Sequence, residues 1–549
     1  MKKWVSLLLC SCMLLTLAAC GGTTSSGSQS GSAPSDSSQQ SSSETASSQD
    51  EQSESDLPVG RYDALQTTDE PVHMLINWHV LNPTPNDEPT EENPNVVKAA
   101  RIITDEWLKD KPNVTLEWFY GFEMTDEYMS IQYSAGTGPD TASIFNAVEY
   151  DKEGWIIHLD EALNSPNYYE PGAPKWFDMF PEYIWDKSGI EIRNLAGDII
   201  ALPQCLNPGP ATAYYYNKDI FEELGLAPTQ DWDKLKEIML ACKQAGYTAD
   251  VPYSGCLIPT FLNWDAQFSL TSYFDGFLEE LDSNGNGKVD NAELYRAQYE
   301  DGFFYLENNP GMVEFYEEIC WKYWNVLDEG VASIDYTQPW KDGTVAMRED
   351  GLWAMSGFMS DTAIPFEIGM FPMPVKTQSD YIATSVEFTE AGPYQPTAMT
   401  HMYFFEPSIQ GRPEYLKDYL IDWCKYMFTT ENMSMQVEEN GTCLGPLKGC
   451  RVPGTLTEWM SNSFPILPSG TGYLNPSMFK TVAASAQALI EQYAYQMIDK
   501  DEWMRQHDEL MYNGLVSYLE NAGDELAALE EDYGWSAEDW SEPVKPSWM

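Results

Sequence analysis

Residues 194–232 read NLAGDIIALPQCLNPGPATAYYYNKDIFEELGLAPTQDW, and the order of their turn, strand and cap signals decides the fold class. Ala196-Gly197-Asp198 supplies turn chemistry, Ile199 to Leu202 is a short apolar run, and Pro203 is expected to end it. Ala211 to Tyr216, rich in aromatics, reads as a second strand. Asn217 is placed to cap a short helix with Ile220, Phe221 and Leu224 on one face, closed by Gly225 at the left-handed position and followed by the apolar Leu226. Asp231 is placed to cap the next helix, with Leu235, Ile238, Met239 and Cys242 about one turn apart. The segment is α/β.

Upstream, Val72 to Trp78 has the near-continuous apolar pattern of a strand buried on both faces. Asn93-Pro94 is expected to start a helix with Val96, Ala100, Ile103 and Trp107 on one stripe, and Val114, Leu116, Trp118 and Tyr120 alternate as the next strand. Ile144-Phe145 ends a third strand. Strand and helix in alternation predict a parallel α/β sheet. Ligands of such sheets sit beyond the carboxyl ends of the strands, which nominates Trp78, Glu123 and Asn146 as ligand-contacting residues.

At 549 residues the chain is long enough for two lobes. Its formal charge of −56 repels phosphate backbones and excludes nucleic acid as a natural partner. Lys2 and Lys3 precede an apolar run from Val5 to Leu17 and then Ala18-Ala19-Cys20, the pattern of a secretory signal (residues 1–19) ending in a bacterial lipobox. Cys20 is the expected lipidation site; an anchor of two acyl chains holds a protein stably on a membrane. Residues 21–56 contain 15 serines and no aromatic or large aliphatic side chain. They cannot build a core, and with Cys20 they form a tether (residues 20–57) reaching about 30–35 Å. Seven cysteines remain beyond it, an odd number that leaves at least one thiol unpaired. Cys443 and Cys450 are close enough in sequence to bridge, but buried free thiols fit equally well.

Asp282-Ser283-Asn284-Gly285-Asn286-Gly287-Lys288-Val289-Asp290-Asn291-Ala292-Glu293 matches the twelve-residue EF-hand loop. Asp282, Asn284, Asn286, Asp290 and Glu293 offer side-chain oxygens at positions one, three, five, nine and twelve. Gly287 makes the turn at six, and Lys288 offers its carbonyl at seven. Apolar Phe277, Leu281, Leu294 and Tyr295 flank the loop as paired helices require. A single such loop predicts a structural Ca2+ taken from the extracellular medium.

The G-D-I-I-A-L-P, Y-Y-Y-N-K-D-I-F-E-E-L-G-L and D-W-D-K-L runs resemble the extracellular solute-binding proteins, family 1, of bacterial ABC importers, the group that includes maltose- and oligosaccharide-binding lipoproteins. A-G-T-G-P-D at 135–140 with G-W-I-I-H-L-D-E-A-L, D-G-T-V-A-M leading through Gly351 to Trp353, I-G-M-F-P-M-P at 368–374, and Asn440-Gly441 with Pro446 extend the likeness over most of residues 70–500. The resemblance implies a two-lobed, periplasmic-binding-protein-like fold of class II, each lobe a mostly parallel sheet flanked by helices and joined by hinge crossovers. The N-terminal lobe is expected in 58–195 and 388–430, and the C-terminal lobe, holding the calcium loop, in 196–387 and 431–549. It also implies a non-enzymatic function, capture of a carbohydrate, an oligosaccharide above all, for a membrane permease by a monomer. Trp353 is implied to stack on a sugar, with Tyr216, Phe261, Trp264, Trp340 and Tyr473 as further aromatic contacts. Alginate-binding members carry an EF-hand-like loop similar to this one. The rival readings are a surface glycoside hydrolase, which needs two carboxylates about 5–5.5 or 6.5–9.5 Å apart, and a calcium-dependent carbohydrate adhesin. HExxH, G-x-S-x-G and P-loop patterns are absent from the sequence, and His73, His79, His158, His401 and His507 show no ligand spacing.

Overall fold

A computed structural model describes residues 60–88, 96–121, 125–144, 147–172, 174–182, 184–185, 192–194, 197–208, 212–229, 231–251, 277–283, 291–331, 334–372, 398–457, 459, 482–521, 540 and 542–549. The expected signal, Cys20 and the tether lie outside these residues.

The first sheet joins β1 (Val72–Ile76), β2 (Val114–Trp118), β3 (Thr141–Ala142), β4 (Ala201–Leu206) and β8 (Ala398–Phe404) in the order β2-β1-β3-β8-β4. β1 runs parallel to β2 and β3, whereas β8 is antiparallel to both β3 and β4. β1 buries Val72, Met74 and Ile76 but leaves His73 exposed and Leu75 half-buried, so only one of its faces is fully covered. Pro203 does not end β4. It sits inside this edge strand at an irregular step in the pairing with β8, where a missing N–H costs no ladder bond.

The second sheet has the order β6 (Met347–Gly351), β5 (Thr212–Asn217), β7 (Ile368–Pro372). These three strands are antiparallel, a departure from the expected parallel lobe, and parallel neighbours enter only as bridges from Thr248 to Val345 and Val251 to Arg348. The chain thus leaves the first sheet after β4 for β5, and after β7 returns as β8 to a place between β3 and β4.

Local signals hold in the helices that follow β5. The Asn217 side chain accepts from the backbone N–H groups of Asp219 (2.9 Å) and Ile220 (3.3 Å), and Gly225 closes helix Lys218–Leu224 at φ 65°. Asp231 accepts from Lys234 N (3.0 Å) at the head of helix Trp232–Ala245. Helix Ala99–Leu108 starts later than Asn93-Pro94 implies. Its free N–H end is met by a distant carboxylate, Glu439, which accepts from Lys98 N (2.8 Å) and Ala99 N (2.6 Å). Helix Thr430–Asn440, assigned from sequence mainly to the second lobe, therefore packs on the first sheet's own helix, and the first layer extends through it.

A separate helical core gathers Leu278–Leu281, Asn291–Asp301, Pro310–Asn325, Ala483–Ala494 and Lys500–Asn521. Tyr493 and Trp503 stack within it, 4.6 Å apart and 1° from parallel. The described part of the C-terminal tail, Trp540 and residues 542–549, closes over it. Trp540 is buried beside Tyr299 and the Arg296 guanidinium, Val544 N donates to Tyr299 O (2.9 Å), and Tyr305 donates to Val544 O (2.7 Å). None of the helices among the described residues is long and apolar enough to cross a membrane.

Candidate functional site

Neutral polar groups converge where β1, β2, β4 and β8 meet. Asn77, one residue past β1, donates to Phe119 O (3.3 Å), and Asn82 donates to the same carbonyl (2.9 Å) while accepting from Trp78 N (2.9 Å). Gln204 on β4 donates to Trp78 O (2.7 Å) and accepts from Thr400 of β8 (3.1 Å), and Thr141 of β3 donates to Asn77 O (3.0 Å). His79 sits at the tip of β1 with φ 47°, a left-handed conformation that is costly for a side chain with a Cβ. Its Nδ1 is buried without a hydrogen-bond partner among the described residues, and desolvation pushes its pKa down to about 4. Tyr120, just past β2, leaves 39% of its surface exposed. Asn77, Thr141, Gln204 and Thr400 are buried and tie the strand ends together in this conformation, while half-buried Asn82 and exposed Tyr120 offer an amide and an aromatic face, groups that can bond sugar hydroxyls and pack on C–H surfaces without moving a proton. Sequence reasoning nominated this end of the sheet by the strand-end rule but did not name Asn77, His79, Asn82 or Gln204. The amide-bearing Asn77 and Asn82 that bracket Trp78 were the available signal.

Trp78 itself is a correction. It is fully buried, edge-on to Trp423 (4.8 Å) and Phe428 (5.9 Å), and its indole N–H donates to Gln436 (2.8 Å), so it belongs to the core beneath the amides. Trp340 is likewise core: it is buried and edge-on to Phe366 at 5.1 Å. Tyr216 is half-buried and packs on Phe221 (4.3 Å) and Phe371 (5.7 Å). Its ring lies over Gly369, where a Cβ would come within 2.2 Å of it, so its position is fixed by packing inside the second sheet. The backbone of Trp353 lies in the 3-10 turn Leu352–Ala354 that leaves β6. Glu123, Asn146, Phe261, Trp264 and Tyr473 lie outside the described residues. A surface pocket of about 370 Å3 on the helical core, lined by Trp324, Tyr493, Gln496, Met497, Ile498 and Asp499, contains none of the nominated residues.

Of the candidate metal loop, Asp282 and Glu293 are described; Asn284, Asn286, Lys288 and Asp290 are not. The loop's entry helix Leu278–Leu281 and exit helix Asn291–Asp301 are both present and in contact. Glu293 is buried, and its Oε1 accepts from Ser283 N (2.8 Å) and Ser283 Oγ (2.9 Å), which turns the carboxylate of position twelve back onto the loop's entry. A buried carboxylate aimed at the first loop residues, with oxygen donors at the remaining positions, fits a hard cation such as Ca2+.

Two sheets exchanged through β4–β5 and β7–β8, with helices on their faces, make a two-lobed mixed α/β fold. Solved structures agree in fold. A chitin oligosaccharide binding protein matches with a TM-score of 0.55 and 13% identity over 82% of this chain and 100% of its own. The solute-binding protein RafE in complex with raffinose gives 0.51 and 16% over 81% and 99%, and apo RafE from Streptococcus pneumoniae gives 0.50 and 17% over 82% and 100%. No family model and no curated protein matches the chain.

Proposed function

We propose that this protein is the membrane-anchored solute-binding component of an ABC importer, which captures an oligosaccharide between its lobes and passes it unchanged to a permease. The observation that carries the reading is the amide cluster at the carboxyl ends of β1, β2 and β4, beside the crossing into the second sheet, in a chain folded like sugar receptors. Lobe closure about that crossing brings the second sheet's loops, Trp353 among them, over the ligand. Cys20 carries the lipid, the serine-rich segment spaces the body from the membrane, and the body works outside the cell as a monomer.

Ca2+ in the 282–293 loop serves as a brace for the helical core. Glu293 supports that role because its buried carboxylate turns back onto the loop's entry at Ser283, beside Asp282 of position one. Chelation should lower the melting temperature and readdition restore it, with Glu293→Gln abolishing the response.

The functional test is calorimetry and thermal shift against a panel of neutral oligosaccharides, with product analysis of each mixture. Saturable binding with the sugar recovered intact supports the proposal. Cleaved sugar, or no binding across the panel, overturns it.

A further inference from the structure

Helices Lys218–Leu224, Trp232–Ala245 and Thr430–Asn440 each close on a left-handed glycine: Gly225, Gly246 and Gly441. Helix Ala483–Ala494 closes differently. Gln496 takes the left-handed place at φ 56° and donates its N–H to Tyr493 O (2.9 Å), and Met497 N donates to Gln492 O (2.8 Å). Among the described residues, His79 at the candidate sugar site is the other residue besides glycine with a positive φ. Such a conformation is costly for any side chain with a Cβ, and it concentrates where proteins hold ligands. The Gln496 side chain is exposed and makes no hydrogen bond among the described residues, so no polar contact within them offsets the strain.

That amide lines the surface pocket of about 370 Å3 on the helical core. Trp324, in the last turn of helix Pro310–Asn325, donates its indole N–H to Ala494 O (3.0 Å) and meets Tyr493 edge-on at 5.5 Å. These contacts fix its ring while 36% of its surface stays exposed. Tyr493 is held in turn by its stack on Trp503. Asp499 caps helix Lys500–Asn521, its Oδ1 accepting from Glu502 N (2.9 Å), and brings a carboxylate to the pocket. A fixed ring takes C–H faces, an amide both donates and accepts, and a carboxylate accepts from hydroxyls. Asp499 is the charged residue of the lining, and Lys500 beside it is paired with Glu317 (2.9 Å), so an anionic ligand meets no unpaired cation there. We infer that this pocket is a second binding site, for a short neutral saccharide or the end of a longer neutral chain. Its volume is near the small end for ligand sites, about 300–1,000 Å3. It shares no residue with the amide cluster at the first sheet.

Calorimetry of the full chain against neutral malto-, cello-, xylo- and chito-oligosaccharides, with a thermal melt of each variant, tests the site. Trp324→Ala should weaken binding at the pocket about tenfold or more. Gln496→Gly should weaken it several-fold without lowering the melting temperature, because glycine takes the left-handed turn freely. A side chain retained for folding alone would give the opposite pattern. Binding that survives Gln204→Leu but falls in Trp324→Ala and Gln496→Gly supports this site even where the reading of the first sheet fails. No binding of any of these sugars overturns the inference. So does a melting temperature lowered by Gln496→Gly, or the same affinities and stoichiometry in wild type, Trp324→Ala and Gln496→Gly, which would leave the pocket to a partner other than sugar.

Discussion

Among the described residues, two of the buried polar networks, one at each sheet, solve opposite problems. In the first sheet, Asn77, Asn82, Gln204, Thr141 and Thr400 are neutral and cross-link strand ends. In the second, Lys322 is buried in an ion pair with Glu349, donates to Tyr214 (2.9 Å), and stands 3.8 Å from Asp250, while Tyr214 donates to Glu349 (2.7 Å). Neutral amides can lose one partner to an incoming hydroxyl at small cost. Buried charges cannot exchange partners without a large desolvation penalty. The difference suits the first network to the ligand-reading role proposed for it, and the second to rigidity. Lys322, on helix Pro310–Asn325, also ties the helical core to the second sheet.

The contrast breaks most sharply if Lys322 is replaced. Lys322→Met should cost about 3–5 kcal/mol by leaving Glu349 buried without its cation, while adding Glu349→Leu should recover much of that loss. Denaturant unfolding of the single and double variants checks it, and equal losses in both would show that packing, not charge, matters there.

Acid is the next probe. His401 on β8 is completely buried, and desolvation pushes its pKa down to about 3, while that of His79 falls to about 4. The unfolded chain takes up these protons near pH 6.5 and the folded one does not. Stability from these groups is therefore full above about pH 6.5 and lost as pH falls toward the folded values. His401 alone should remove about 2 kcal/mol between pH 7 and 5, and His401→Leu should flatten the thermal-melt profile in that window.

Gln204→Leu is expected to cost about 1–3 kcal/mol by stranding Trp78 O and to weaken sugar binding more than Lys322→Met does in the fraction that stays folded. Smallest is Asn217→Ala, a lost cap of about 1 kcal/mol in the second sheet that should leave affinity unchanged. If Gln204→Leu leaves affinity intact and Asn217→Ala does not, the division of roles between the networks is reversed.

The local parts of this fold were legible in residue order. Asn217, Gly225 and Asp231 act within a few residues of themselves, so their chemistry dictates caps wherever the chain goes. Trp78 and Trp340 were misjudged because an aromatic beside a turn suits a cleft or a core equally, and only neighbours remote in sequence (Trp423, Phe428 and Gln436 for Trp78) decide which. Pro203 was misread because a strand's position at a sheet edge is a property of the whole sheet. Glu439 capping helix Ala99–Leu108 is a contact across hundreds of residues that no window of sequence contains.

The closing residues bind the helix whose first turn holds Glu293. Trp540 covers Arg296 and Tyr299 on that helix, and Val544 bonds to Tyr299 and Tyr305. Trimming the chain before Trp540 would thus uncover and loosen the helix that carries Glu293, so a shortened version would weaken the proposed calcium loop while keeping every loop residue intact.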